Sequence, residues 1–240
     1  MPEKVVGILG GMGPEATVDF FAKVIALTPA NRDQDHLRII IYNNPKIPDR
    51  TEAILKEDKS LLPMLVETAK TLERAGVDFI VIPCNTVHYF YEDLRREISI
   101  PILHMIREVA YAVKASLPRC KRVGLLATTG TITSNLYQKE FQRVGVEVIV
   151  PDTQCQAEVM DAILRIKADH GKERARKELI KAGNLLIKRE VKALILGCTD
   201  TPLVIKTSDF SVPVFDSNRL LAEATVKFAR SETISSRRDT

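Results

Sequence analysis

Tryptophan is absent from the 240 residues, and aromatic side chains make up only 5% of them. Recognition of nucleic acid by stacked bases needs aromatics interleaved with a basic stripe. Here 35 Lys and Arg residues are interspersed with 31 Asp and Glu, for a net charge of only +4. The one basic pair of note, Arg237-Arg238, sits in a polar tail expected to be frayed. No nucleic-acid partner is expected. No apolar run approaches the roughly 18 residues of a membrane span, so no membrane partner is expected either. Met-Pro-Glu-Lys runs straight into a strand pattern, leaving no room for a signal peptide, and a cytoplasmic location follows as an expectation. Cysteines are few, at 84, 120, 155 and 198, and none forms a C-x-x-C pair. A reducing compartment argues against disulfides. The histidines at 36, 88, 104 and 170 share no ligand-type spacing with them, so no metal site is expected.

What remains, 45% hydrophobic and 28% charged residues, is enough to bury a large core in one or two domains. The chain is organised around Phe79-Ile-Val-Ile-Pro-Cys84-Asn85-Thr86. An apolar run of strand type breaks at a cysteine, cap-type residues follow, and a helical pattern continues over 87–98. Cys84 is therefore expected at the carboxyl end of a buried strand, beside helix N–H groups that favour its thiolate. The arrangement recurs at Ala193-Leu-Ile-Leu-Gly-Cys198-Thr199-Asp200. Cys120 and Cys155 read as structural.

In chain order, a strand over 5–9 enters Gly10-Gly11-Met12-Gly13-Pro14 and a helix follows to Leu27. The turn lacks the third glycine of a dinucleotide fingerprint, so it suits a small anion on bare backbone N–H groups better than a dinucleotide. A strand over 37–42 empties into a loop dense in turn residues, 43–51. Within it Arg50 is the residue suited to a bidentate grip on a carboxylate, or else an ordinary surface arginine. Helices over 59–74, 87–98 and 105–116, with strands over 79–83 and 100–103, complete the first half. Val123-Gly-Leu-Leu-Ala-Thr128-Thr129-Gly130-Thr131 then repeats the pattern of Val6 to Pro14. Gly7 to Gly124 and Cys84 to Cys198 are nearly equal offsets, which argues for an internal duplication. Helices over 134–144, from 156, over 172–189 and over 220–230, with strands over 147–150, to 198 and over 212–215, fill the second half. No flexible linker divides the halves. The class expected is α/β, two pseudo-symmetric three-layer domains with parallel sheets and the site in the cleft between them.

Strand ends facing each other across a cleft would bring Cys84 and Cys198 to opposite sides of one bound carbon. A thiolate on one face can remove a proton while a thiol on the other returns one. His88, four residues past Cys84, suggests a Cys–His hydrolase, but a side chain there leans back on the helix and is expected to buttress Asn85 and Thr86.

Five motifs then stand in order: Gly10-Gly-Met-Gly-Pro14, Asn43-Asn-Pro45 with Pro48-Asp-Arg-Thr51, Pro83-Cys-Asn-Thr86 with His88, Ala127-Thr-Thr-Gly-Thr131, and Gly197-Cys-Thr199. On these the chain resembles the cofactor-independent aspartate/glutamate racemase family, most closely its archaeal-type aspartate racemases. The resemblance implies racemisation of an acidic amino acid by Cys84 and Cys198, without pyridoxal phosphate or metal, in a homodimer. It implies that Asn85, Thr86, Thr128, Thr131 and Thr199 hold the α-carboxylate and amino group. Arg50 would read the side-chain carboxylate, with Met12 and Thr51 beside it and Lys167 in a similar role. It further implies a first domain of 1–104 plus 213–240 and a second of 105–212. Asp200 stands where the family commonly has Glu. Glutamate or broad specificity, and a dicarboxylate isomerase or decarboxylase, are the alternatives within the superfamily; a dicarboxylate-binding module is the non-enzymatic one.

Overall fold

A computed structural model describes residues 3–231; the Arg237-Arg238 pair lies outside them. Strand β1 (Val6–Gly10) is buried along its whole length and runs parallel to β2 (Ile39–Asn43) on one side and β3 (Phe79–Val81) on the other. Its side chains alternate between two helical layers. Val6 and Ile8, with Phe79 and Val81, pack on Phe20 and Val24 of α1 (Pro14–Leu27) and on Leu221 and Val226 of α10 (Ser217–Arg230). Leu9 and Ile80 face Leu65 and Leu72 of α3 (Leu62–Arg74) and Leu94 of α4 (Tyr91–Glu97). Period-two alternation on a sheet covered on both faces produces three layers.

The second half repeats the plan. Its sheet has the order β5-β4-β6-β7, built from β4 (Arg122–Leu126), β5 (Glu147–Ile149), β6 (Leu194–Leu196) and β7 (Val214–Asp216), with every pair parallel. Val123, Leu125 and Ile195 pack against α5 (Met105–Ser116) and α7 (Leu136–Gln142). Leu126, Leu194 and Leu196 pack against α8 (Thr153–Lys167) and α9 (Lys172–Ile187). The first sheet has the matching order β2-β1-β3, and where β7 has its counterpart only a single bridge forms, Ile80 to Ile102. The strand expected over 100–103 is reduced to that bridge.

Three local departures from the expected elements have visible causes. Arg50 and Thr51 open a short helix, α2 (Arg50–Leu55), because Asp49 caps it by accepting from the Glu52 amide at 2.8 Å. The helix expected over 134–144 is shorter, α7, and a separate helix not expected, α6 (Thr129–Thr133), precedes it, the two parted at Asn135, which takes a left-handed backbone. The helix expected over 87–98 begins as a 3₁₀ turn, Thr86–Phe90, in which Asn85 makes no side-chain cap. The return to the first half also falls later than residue 213: β7 pairs with β6 in the second sheet, and the crossing is made by α10. That helix packs on α1 and α5. Asn218 donates to Asp19 at 2.7 Å, and Lys23 pairs with both Asp19 and Asp216.

Two glycines allow the close approaches that shape the cleft. Gly11, with φ of +97°, lies so near Asn44 that a Cβ would fall 2.4 Å from its backbone. Gly130 brings α6 against α2, where a Cβ would lie 2.8 Å from the Thr51 Cα.

Candidate active site

Each cysteine leaves its strand through a hydrogen-bonded turn. The Cys84 amide donates to the Ile82 carbonyl at 2.8 Å, closing a three-residue turn about Pro83. The Cys84 carbonyl accepts from His88 Nδ1 at 2.8 Å, and His88 Nε2 accepts from the Met105 amide at 3.1 Å. That pair of bonds fixes the tautomer and leaves neither ring nitrogen for the thiol, so His88 is no general base for Cys84. It buttresses the Cys84 carbonyl rather than Asn85 and Thr86. In the second half Thr201 does the same work: its hydroxyl and amide donate to the Cys198 carbonyl at 2.8 and 3.2 Å.

The two turns open on one cleft with about 370 Å³ of empty space. Cys84 and Cys198 line it together with Met12, Arg50, Thr51, Asn85, Thr86, Thr128, Lys167 and Thr199. Thr131 lies behind that lining. Its hydroxyl, with those of Thr86 and Thr128, forms a buried ring of three contacts at 2.9–3.0 Å that crosses from one half to the other. Asn85 is committed elsewhere: its Oδ1 accepts from Tyr137 at 2.6 Å and its Nδ2 donates to Ser217 at 2.9 Å.

Arg50 is held by three backbone carbonyls. Nη1 donates to Ile47 and Pro48 at 3.3 and 3.0 Å, and Nη2 to Met12 at 3.3 Å. Its Nε is buried without a partner. Arg50 lines the cleft with this one donor, Nε, left unpartnered, and the side-on edge that Nε forms with Nη2 is of the shape a carboxylate fits. Lys167 reaches in from the end of α8 and pairs with the buried Asp200 carboxylate at 2.7 Å. Burial works against its ammonium, but Asp200 and then Cys198 outweigh burial and raise its pKa.

The same Asp200 oxygen accepts from the Cys198 thiol at 3.5 Å. Burial, and after it the Asp200 carboxylate, push that thiol up to about 12. The second thiol, expected to ionise easily, is instead shifted the other way by its surroundings. Among the described residues, no group of three or more His, Cys, Asp or Glu is arranged to hold a metal ion, and no helix is long and apolar enough to cross a membrane.

Comparison with known proteins gives this geometry a lineage. Residues 9–225 match the model of the Asp/Glu/hydantoin racemase family. The chain belongs to that family. Among solved structures it is similar to an aspartate racemase from Picrophilus torridus, at 37% identity and a TM-score of 0.84, with 94% of each chain covered. Among curated proteins it is 34% identical over 226 residues to the broad specificity amino-acid racemase RacX of Bacillus subtilis (strain 168), covering 92% of this chain and 96% of that protein. It is 29% identical over 193 residues to a glutamate racemase of Aquifex aeolicus (strain VF5), covering 74% and 69%. Tyr137, Ser217 and the part His88 takes were missed at the sequence level; Tyr137 and Ser217 stand outside the motifs, and Tyr137 reads in sequence as an ordinary core aromatic.

Burial pushes His88 down from 6.5 to about 4, and burial with the neighbouring His88 pushes His104 down to about 2. Both stay neutral in the fold while the unfolded chain takes up their protons. Stability is therefore full above about pH 6.5 and falls as pH drops towards 4. The His88 share reaches up to about 3 kcal/mol. Urea midpoints measured from pH 7 to pH 4 should show this decline, and His88→Gln should flatten it. An equal slope in the variant would remove His88 as its source.

Proposed function

We propose that this racemase-family chain interconverts L- and D-aspartate, with Cys84 and Cys198 exchanging the α-proton from opposite faces and no cofactor taking part. The observation that carries the reading is the clamped Arg50 edge in the same cleft as both thiols. It suits a substrate with a second, distal carboxylate, and Lys167 adds a cation beside it. The α-carboxylate then falls to the hydroxyls of Thr86 and Thr128, with Thr131 bonded to both from behind, and to the turn after Cys198 at Thr199. There, fixed donors stabilise the negative charge that builds as Cα–H breaks.

In the resting enzyme the Cys198 thiol is the acid. A substrate presenting its α-hydrogen to Cys84 loses it to the Cys84 sulfur and receives the Cys198 proton on the other face. The enzyme is left with the opposite pattern, ready for the other enantiomer. Each turnover moves one proton onto one sulfur and one off the other, so charge balances without an external base.

The similarity to RacX supports a broad-specificity reading, and the glutamate racemases support glutamate. A panel of L-amino acids followed by chiral chromatography separates these from the aspartate reading, which requires aspartate to be racemised with the highest kcat/KM. Arg50→Lys should then raise KM for aspartate about tenfold or more with kcat far less affected, because a point charge does not replace a planar fork. An unchanged KM would take Arg50 out of the substrate site.

All four cysteines are free, which accords with the cytoplasmic setting proposed here. We also propose a homodimer. Strand β2 is an edge of the first sheet, and its Ile41 and Tyr42 are each 38% exposed, an apolar edge of the kind a second copy covers. Sedimentation at micromolar concentration should show a species of twice the chain mass; a lone 26.8 kDa species would reject the dimer.

A further inference from the structure

Tyr137 does not line the cleft, yet it touches both cysteine turns. Its hydroxyl donates to Asn85 Oδ1 at 2.6 Å, one residue after Cys84. Its ring packs on Gly197, one residue before Cys198, where a Cβ would lie 3.2 Å from Tyr137 Cε2. A second path runs through Ser217 at the start of α10. Asn85 Nδ2 donates to Ser217 Oγ at 2.9 Å, and Ser217 Oγ donates to the Leu196 carbonyl at 2.7 Å, at the end of the strand that carries Cys198. Tyr137, Asn85, Ser217 and Leu196 are all buried. Water cannot replace a lost partner in such a place, so the circuit holds one geometry or breaks.

We propose that Tyr137 and Ser217 are positioning residues that fix the separation of the Cys84 and Cys198 thiols across the cleft. The proposal rests on the two-thiol reading above. Inversion needs both thiols correctly placed in one turnover. Exchange of the α-hydrogen into unchanged enantiomer needs only the thiol that removed it. Displacing one turn relative to the other therefore depresses inversion more than exchange.

The test is Tyr137→Phe, which keeps the ring on Gly197 and leaves Asn85 Oδ1 without its donor. L-aspartate is incubated in D₂O with wild type and variant, and deuterium in recovered L-aspartate is measured beside the formation of D-aspartate. The inversion rate should fall roughly 10–100-fold, the scale of a misplaced reacting group. KM should stay within about twofold, and the ratio of exchange to inversion should rise. That ratio is independent of the fraction of protein folded. A wild-type inversion rate, or exchange and inversion lost in equal proportion, would overturn the proposal and leave Tyr137 an ordinary core residue. Should Tyr137→Phe fail to fold, Ser217→Ala opens the same circuit from its other end and carries the same two outcomes. If wild type neither exchanges nor inverts any amino acid, the two-thiol reading fails by itself. The circuit is then read by iodoacetamide labelling of Cys84 and Cys198, resolved by mass spectrometry. Tyr137→Phe should change the ratio of the two labelling rates, and an unchanged ratio would overturn the positioning role.

Discussion

Cys84 and Cys198, carried on separate sheets, line one cleft, and the proposed two-thiol exchange requires that they meet there at a fixed separation. Neither sheet can supply this alone. Each positions its own cysteine locally, by a turn about Pro83 in one half and by the Thr201 bonds in the other. The relation between the halves is then set by groups that cross from one to the other: the three-threonine ring, the approach of Gly130 to Thr51, and the hydrogen bonds that leave Asn85. All of these are buried, where an unmade polar contact costs most, and the cleft is correspondingly specific in shape.

Duplication supplies the scaffold, and divergence supplies the chemistry. The sheets share strand order, and each cysteine carbonyl is tied down, but the partners differ. His88 serves one turn and Thr201 the other. Asp200, with Lys167 beside it, has no counterpart after Cys84, where Asn85 and Thr86 stand instead. Burial and the neighbouring Asp200 carboxylate raise the Cys198 thiol, so two turns built on one plan give their sulfurs different surroundings.

Much of the architecture was legible in the residues because it follows from short-range rules. Buried parallel strands read as unbroken apolar runs, and the glycine turn after β1 marked where α1 begins. Both cysteines were legible because they stand where apolar runs end, and Arg50 because it lies in the turn-rich loop after β2, whereas Met12, the threonines and Lys167 entered through the family resemblance. Two kinds of information were not there to be read. Helix α2 and the break at Asn135 depend on single capping and left-handed residues that composition also permits in loops. Tyr137 and Ser217 meet Asn85 across 52 and 132 residues of chain, a juxtaposition that no local pattern encodes. The direction of the Cys198 shift escaped for a related reason: a helix-side thiol suggests easy ionisation, and only the packed structure shows burial and Asp200 prevailing.

The central claim is that each enantiomer loses its α-proton to one sulfur and receives a different proton from the other. Racemisation of L-aspartate in D₂O tests it most directly, with the isotope at Cα read by mass spectrometry in the first D-aspartate formed. Two thiols on opposite faces require that product to carry deuterium from the first turnover, because the returning sulfur has equilibrated with solvent. D-aspartate that retains its original protium would mean that a single group carries the proton from face to face, and would contradict the account.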